Sequence, residues 1–396
     1  MKLNVAVFFG GESVEHEVSI ISAHQAIEAL DHDKYNVIPI YVSKDQKLYY
    51  SDSLSQMDSY KNLEQLTQQV PQVTIVNHDN VYEIVPVKQT LFGKKSLGFI
   101  DVAIPVMHGT KGEDGTIQGY LEMLKIPYAG CDIFSAAVGQ DKVLQKHIFH
   151  DAGLPVTNWF WVYAKEMDDD PVGVLTKVRK IIYPVILKPA RTGSSVGISI
   201  AHNDDEYRQC FEEARQYDDK IITEKVVKPM REINCSVLGD PYNIQVSTLE
   251  EVGHGGQTEF LDFKNKYLQS GKSSKGSQGM ASTARIVPAP ISEEKTKEIQ
   301  ELARKAFQLL GASGVCRIDF MMDAETNTVY INEINTIPGS LAFYLWKETN
   351  VSFTELMDRL VELALERERR RNRMVFSYET NILENYNSQS AKGAKQ

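Results

Sequence analysis

Apolar and polar positions along this chain follow two periods. LNVAVFF (3–9) and YNVIPIYV (35–42) are short apolar runs, whereas VSIISAHQAIEAL (18–30) spaces its apolar residues three and four apart. The runs predict strands and the segment between them a helix. The order returns with FIDVAIPVM (99–107) as a strand and TIQGYLEML (116–124) as a helix. Strands separated by helices predict a parallel sheet covered on both faces. Residues 51–80 are polar without a clear period and are expected to be irregular.

Farther on the pattern becomes richer in strands. IIYPVILKP (181–189), VGISIA (196–201) and IITEKVV (221–227) predict strands, DDEYRQCFEEARQY (204–217) a helix, and 228–290 more strands with a long polar segment. SEEKTKEIQELARKAFQLL (292–310) predicts an amphipathic helix with Ile299, Leu302, Ala303, Ala306 and Leu310 on one face. Ser292 is its N-cap and Gly311 ends it. GVCRIDFMMD and TVYINEIN flank the polar AETN and predict a hairpin. In FTELMDRLVELALERERRR the stripe Phe353, Leu356, Met357, Leu360, Leu363 and Ala364 predicts a last, core-packed helix, with Ser352 and Glu355 as a capping box. The arginines of 367–373 read as a solvated helix end beside the negative pole of the dipole. VFSYETNIL (375–383) is a candidate further strand, and the polar tail after it is expected to be disordered.

Composition narrows the class. The 396 residues are 42% hydrophobic and 24% charged, ordinary for a globular protein with more than one core. A net charge of −10 argues against a nucleic-acid partner. The first apolar run leads straight into Gly-Gly and charged residues, so it reads as a strand rather than a signal peptide. No run approaches the ~20 residues of a membrane span. Cys131, Cys210, Cys235 and Cys316 form no CxxC pair, and reduced thiols in the cytoplasm are the expected state.

Two glycine-rich segments are candidates for phosphate. SGKSSKGSQG (270–279) contains Gly271-Lys272-Ser273, but the first glycine of a G-x-x-x-x-G-K-[ST] loop would fall at Lys266. Its lead-in is polar and no helix pattern follows, so it fails as that loop. In PVILKPARTGSSVGISI (184–200) a buried strand carrying Lys188 enters Thr192-Gly193-Ser194-Ser195-Val196-Gly197 and a second strand leaves. Glycines let backbone amides approach a polyanion, so this is a candidate flap, though an ordinary Gly-Ser turn would read the same way. Arg317 and Asp319 share one strand face, and Glu333 and Asn335 share the next. A turn near 326 would set Asp319 opposite Glu333 and Arg317 opposite Asn335. Two carboxylates and an amide oxygen suit Mg²⁺ bridging nucleotide phosphates, and a surface ion-pair ladder is the alternative.

With those residues in order, the chain resembles the ATP-grasp ligases and, more closely, the D-alanine–D-alanine ligases. The matching stretches are FFGGESVEHEVSI, HGTKGEDGTIQGYLE, GQDKVLQK, KPARTGSSVGIS, ITEKVV, Lys266-Tyr267, GVCRIDF and NEINTIPG, spread to about residue 366. The resemblance implies an α/β ATP-grasp fold of three α/β subdomains with an N-terminal Rossmann-like parallel sheet. The expected division is 1–138, 139–227 and 228–370, with a mobile loop at about 253–288 and an extension from 371 to 396. It implies that Glu15, Val18, Ser19 and His108 hold the first D-amino acid, Glu15 pairing with its ammonium. Lys142 and Lys188 would bind ATP phosphates beneath a flap containing Ser194 and Ser195, and Glu224 and Glu232 would contact adenosine. Asp319, Glu333 and Asn335 would hold Mg²⁺, with Mn²⁺ as a substitute. Arg317 and the Gly339 amide would stabilise the oxyanion, while Lys266 and Tyr267 would ride on the closing loop, Tyr267 linked to Ser194 and Glu15. A homodimer is implied as well.

The chemistry agrees with those roles. A carboxylate must be activated, an acyl phosphate serves, and Lys with Mg²⁺ answers its charge. A lid keeps water from the acyl phosphate. Two departures fall on the second-substrate side. The family has a polar run with a Ser after Pro-Gly, where this chain reads Ser340-Leu341-Ala342-Phe343-Tyr344, and the segment from Tyr267 to Pro288 is longer than the family loop. D-Alanine is the expected second substrate, with D-serine or D-lactate as alternatives. A non-catalytic binding relative would not need the metal trio, both lysines and Arg317 together. A nicotinamide enzyme is disfavoured because FFGGES lacks G-x-G-x-x-G spacing.

Overall fold

Three sheets organise the computed structural model, which describes residues 2–88, 95–253, 285–378 and 380. The first contains β1 (Leu3–Gly10), β2 (Tyr35–Val42), β3 (Leu48–Tyr50), β4 (Gln72–His78), β5 (Val81–Pro86), β6 (Gly98–Ile100) and β7 (Val102–Pro105), in the order β6-β5-β4-β3-β2-β1-β7. Helices α1 (His16–Ala29), α2 (Leu63–Gln69) and α3 (Thr116–Leu124) accompany it. Val5, Val7 and Phe9 pack with Ile20 and Ile27 of α1, while Ala6 and Phe8 pack with Ile117 and Leu121 of α3. The strand alternation therefore feeds two apolar layers, as expected of an α/β sheet.

The expected parallel pairing is present at the β1 end of this sheet, and an antiparallel extension continues it. Only β1 with β2 and β1 with β7 are parallel; the other neighbours are antiparallel. The antiparallel part includes the segment taken as irregular, since 51–80 holds two 3₁₀ turns, α2 and β4. The run 99–107 is likewise broken at Asp101, whose carboxylate accepts from the Asn4 amide.

Helices α4 (Ile133–Gln140) and α5 (Lys142–Asp151) lead into the second sheet. Its strands are β8 (Trp159–Tyr163), β9 (Val185–Pro189), β10 (Ser199–Ala201) and β11 (Lys220–Lys225), in the order β10-β9-β11-β8 and all antiparallel. Helices α6 (Ala164–Asp169), α7 (Pro171–Ile181) and α8 (Asp204–Ala214) belong to it, and Val178, Tyr207 and Phe211 fill its core.

The third sheet joins β12 (Met230–Asp240), β13 (Asn243–Val252), β14 (Arg285–Ile286), β15 (Gly314–Asp323) and β16 (Val329–Asn335), in the order β14-β13-β12-β15-β16. Helix α9 (Glu293–Leu309) covers one face through Ile299, Ala303, Ala306 and Phe307. Its N-cap is Ser292, whose side chain accepts from the Lys295 amide. A short α10 (Phe343–Lys347) precedes α11 (Phe353–Arg371), which starts at the expected capping box of Ser352 and Glu355. Leu356, Leu360, Leu363 and Ala364 of α11 join the first sheet's core beside Ile337, Leu341 and Trp346. Residues 375–378 are not a strand, correcting that expectation; 381–383 lie outside the described residues. No helix among the described residues is long and apolar enough to cross a membrane.

Candidate active site

Because β1 and β7 are parallel neighbours, their carboxyl ends open on the same edge of the sheet. The loop after β1 delivers Glu15 to the start of α1, and the loop after β7 delivers His108. Gly109 (φ +71°) makes their approach practicable, because a Cβ there would lie 2.8 Å from Glu15 Oε2. His108 Nδ1 lies 2.8 Å from the Ile337 carbonyl, so that nitrogen carries the hydrogen and Nε2 accepts from Ser22 Oγ at 2.9 Å. Burial pushes the imidazole's pKa down, in keeping with a neutral ring. Ser22 Oγ also accepts from the Ser340 amide at 3.0 Å, tying α1 to the segment after Gly339.

Glu113 lies beneath this junction, its two oxygens accepting from the Gly109 and Ile337 amides at 2.9 Å each. Burial, then the neighbouring charge of Glu15, pushes its carboxyl up to about 8.

The second sheet supplies cations. Asp141 caps α5 by accepting from the Val143 and Leu144 amides, so Lys142 and Lys146 stand one turn apart on one face. Lys146 Nζ lies 2.9 Å from Glu224 Oε2, and Lys188 Nζ lies 3.0 Å from Glu224 Oε1, all three being buried. Burial opposes the Glu224 charge, yet the flanking lysines hold its carboxyl down to about 2. Two ammoniums against one carboxylate leave net positive charge in a low-dielectric wall, which suits a polyanion. Lys142 Nζ donates to the Thr192 carbonyl and lies 3.3 Å from Glu333 Oε2. Between β9 and β10, Ser194 and Ser195 both adopt the left-handed region (φ +54° and +59°), and the Ser194 hydroxyl contacts the Glu15 carboxylate.

On the third sheet the expected register holds: Asp319 faces Glu333, and Arg317 faces Asn335. Arg317 donates through Nε and Nη2 to the two Asp319 oxygens at 2.6 and 2.7 Å, and Asn335 Nδ2 donates to Asp319 at 3.0 Å. Burial pushes the Asp319 carboxyl up, Arg317 opposes this, and Glu333 and Glu232 add to it. Opposed carboxylates beside an amide oxygen form a hard donor set that suits a magnesium ion, whose charge would relieve this crowding.

Glu15, Val18, His108, Lys142, Lys188, Ser194, Ser195, Glu232, Arg317, Asp319, Glu333, Asn335 and Gly339 line one cleft, of about 1330 Å³ with its open mouth. Two expected contacts fall elsewhere. The Ser19 hydroxyl is buried, donating to the Val106 carbonyl and accepting from the Gly10 amide, so it braces the strand ends. Glu224 lies behind the wall, its carboxylate committed to lysines and the Thr157 hydroxyl. Lys266, Tyr267 and SGKSSKGSQG lie outside the described residues. Sequence reasoning passed over Lys146, Glu113 and Arg285. The first had a signal, the i,i+4 spacing from Lys142; the second was one acid in a Gly-rich loop; Arg285 stood at the end of a long polar segment without a motif.

Comparison with known proteins gives this geometry a family. Residues 4–131 match the family "D-ala D-ala ligase N-terminus" and 148–362 match "D-ala D-ala ligase C-terminus". The D-alanine–D-alanine ligase of Thermosipho melanesiensis is 36% identical over 384 residues, covering 96% of this chain and 98% of that protein. Its counterpart in Acetivibrio thermocellus is 38% identical over 380 residues, covering 92% and 96%. Among solved structures, the D-alanine-D-alanine ligase of Coxiella burnetii superposes with a TM-score of 0.77 at 29% identity over 94% of this chain and 96% of that one. The VanG D-Ala:D-Ser ligase of Enterococcus faecalis gives 0.75 at 26% over 92% and 100%. The likeness covers both matched regions and the whole three-sheet ATP-grasp architecture: this chain belongs to the D-alanine–D-alanine ligase family.

Proposed function

We propose that this protein joins two molecules of D-alanine into D-alanyl-D-alanine at the expense of ATP. The observation that carries the reading is one cleft in which the Glu15 and His108 corner, the lysines of the second sheet and the Arg317–Asp319–Glu333–Asn335 patch converge.

Glu15 receives the ammonium of the first D-alanine and Val18 packs against its methyl group. Lys188, with Lys146 behind it, offsets the charge of the ATP phosphates, Lys142 adds to it, and Ser194 and Ser195 cover them. The carboxylate attacks the γ-phosphorus, the bond from that phosphorus to the bridging oxygen breaks, and ADP leaves. The amine of the second D-alanine attacks the acyl carbon, and the oxyanion is met by Arg317 and the Gly339 amide. Phosphate departs and the amine loses its proton as the peptide bond forms. Asp319, Glu333 and Asn335 would hold Mg²⁺, with Mn²⁺ able to replace it, which neutralises phosphate charge. Glu232 would meet the adenosine part. A cytoplasmic homodimer supplying peptidoglycan precursor synthesis completes the reading.

The test incubates the protein with ATP, Mg²⁺ and D-alanine, alone or paired with D-serine, D-lactate or L-alanine, and measures ADP and product mass. D-Alanyl-D-alanine as the main product is expected. ADP release with no pair would sink the ligase reading, and release only with a mixed pair would move the assignment to another acceptor. Glu333→Ala should lower turnover by at least about 10³-fold. Activity near wild type would overturn its place as a metal ligand.

A further inference from the structure

The cleft face of the third sheet carries a polar row from one side toward the other. Glu333 stands opposite Asp319, Asp319 opposite Asn234, and Asn234 opposite Glu250, across β16, β15, β12 and β13. At the far end the fully buried Glu250 gathers three donors. Oε1 accepts from Asn234 Nδ2 and the Tyr344 hydroxyl at 3.1 Å each, and Oε2 accepts from Arg285 Nη1 at 2.9 Å. The Arg285 guanidinium lies 4.2 Å from the centre of the Tyr344 ring and its side chain is 12% exposed.

Such stacking and pairing hold a guanidinium in one place at little further entropic cost. Arg285 nevertheless lines the same cleft as Arg317 and Gly339. Its Nε is buried and has no hydrogen-bond partner among the described residues. Arg317 already gives Nε and Nη2 to Asp319. Arg285 sits on β14, at the opposite edge of the sheet from the Glu333 strand. After Gly339 and the buried Ser340, Leu341, Ala342 and Phe343 bring no polar side chain, and the Tyr344 hydroxyl is spent on Glu250.

We propose that Arg285 binds the carboxylate of the acceptor amino acid and makes the acceptor site selective for that charge. This rests on the ligase reading. With the acceptor amine directed at the acyl carbon near Arg317 and Gly339, its carboxylate points away from the departing phosphate and its lysines. Arg285 meets it there, and Glu250, Asn234 and Tyr344 act as positioning residues for the guanidinium.

The experiment compares D-alanine with D-alaninamide, which keeps the attacking amine and lacks the carboxylate, as acceptors at saturating ATP and Mg²⁺. Products are resolved by mass. Wild type should prefer the acid by at least about tenfold. Arg285→Met combined with Glu250→Gln removes both buried charges together. It should raise the acceptor KM by about ten- to a hundredfold, leave the KM for ATP unchanged and narrow the acid-to-amide preference. Arg285→Lys, which keeps the charge without the fork, should fall between, and it decides the matter alone if the double variant does not fold. An unchanged acid-to-amide preference in a folded variant overturns the proposal. A wild type that forms no product and no ADP with any acceptor would instead sink the ligase reading.

Discussion

Single residues in this site are tuned by what surrounds them. Glu113 is held up to about 8 by burial and by Glu15, so it keeps its proton in the folded chain where an unfolded chain has lost it. The unfolded state then binds fewer protons, and this group costs the fold stability as pH rises from about 4.5 toward 8. Buried His108 and His16, whose pKa values burial lowers, act oppositely and lose stability as pH falls below about 6.5. The clean measurement is therefore a difference. Urea midpoints of Glu113→Gln relative to wild type should improve steadily between pH 5 and 8 and level off above, and a pH-independent difference would refute the protonated state. Glu224 gives a second case. Glu224→Gln leaves Lys146 and Lys188 buried without their shared carboxylate and should cost about 3–5 kcal/mol, read by chemical denaturation. A cost below about 1 kcal/mol would show that the lysines relax to water. At this scale the sequence disclosed the strand-borne residues best. Period two placed Arg317, Asp319, Glu333 and Asn335 on one face, because a β-ladder fixes which side chains share a face. Glu224 was misplaced because a carboxylate that serves lysines behind a wall has the same local sequence as one that faces a ligand.

Elements were legible wherever their ends carry chemistry. The helix over 292–310 and the last helix were readable because Ser292 and Ser352 accept from amides three residues on. Strands β4 and β5 were not, since they carry polar residues on their half-exposed faces and lie in an antiparallel extension that no helix announces. The connection from α9 to β15 shows how sharply an element boundary can be specified. Gly311 has φ +62° with open space where a Cβ would stand, whereas Gly314 has φ +80° and a Cβ there would meet the Gly130 backbone at 2.6 Å. Gly311→Ala should therefore cost about 1 kcal/mol from backbone strain alone. Gly314→Ala must also push β15 from Gly130 and should cost more than about 3 kcal/mol. Equal costs in thermal or urea unfolding would mean that the Gly130–Gly314 approach is not a constraint. The consequence reaches the site, because β15 carries Arg317 and Asp319 just beyond that start.

On the scale of the whole molecule, the site belongs to no single sheet. Glu15 and His108 come from the first, Lys188 and Ser194 from the second, and Arg317 with the carboxylates from the third. No pattern within one segment announces such a meeting, so only the family resemblance placed these residues in one cleft. Two devices hold them there. One is the core that α11 shares with the first sheet and Ile337, and the other is the chain of hydrogen bonds from Ser340 through Ser22 and His108 to Ile337. The second sheet has a core of its own and touches the first across the cleft through Ser194 and Glu15. A ligand that bridges the cleft should then stabilise the whole more than the sheet it touches. At a hundred times its dissociation constant, ATP with Mg²⁺ should add about 2.7 kcal/mol, roughly 3 °C in melting temperature for a chain of this size. D-Alanine added with the nucleotide should raise it further. Glu333→Ala should lose most of the shift that depends on the metal while retaining what ATP gives alone, since Lys146 and Lys188 remain. A wild-type shift that Mg²⁺ does not enlarge beyond that of ATP alone, or a metal-dependent shift that survives intact in the variant, would place the phosphates away from the Asp319–Glu333 pair.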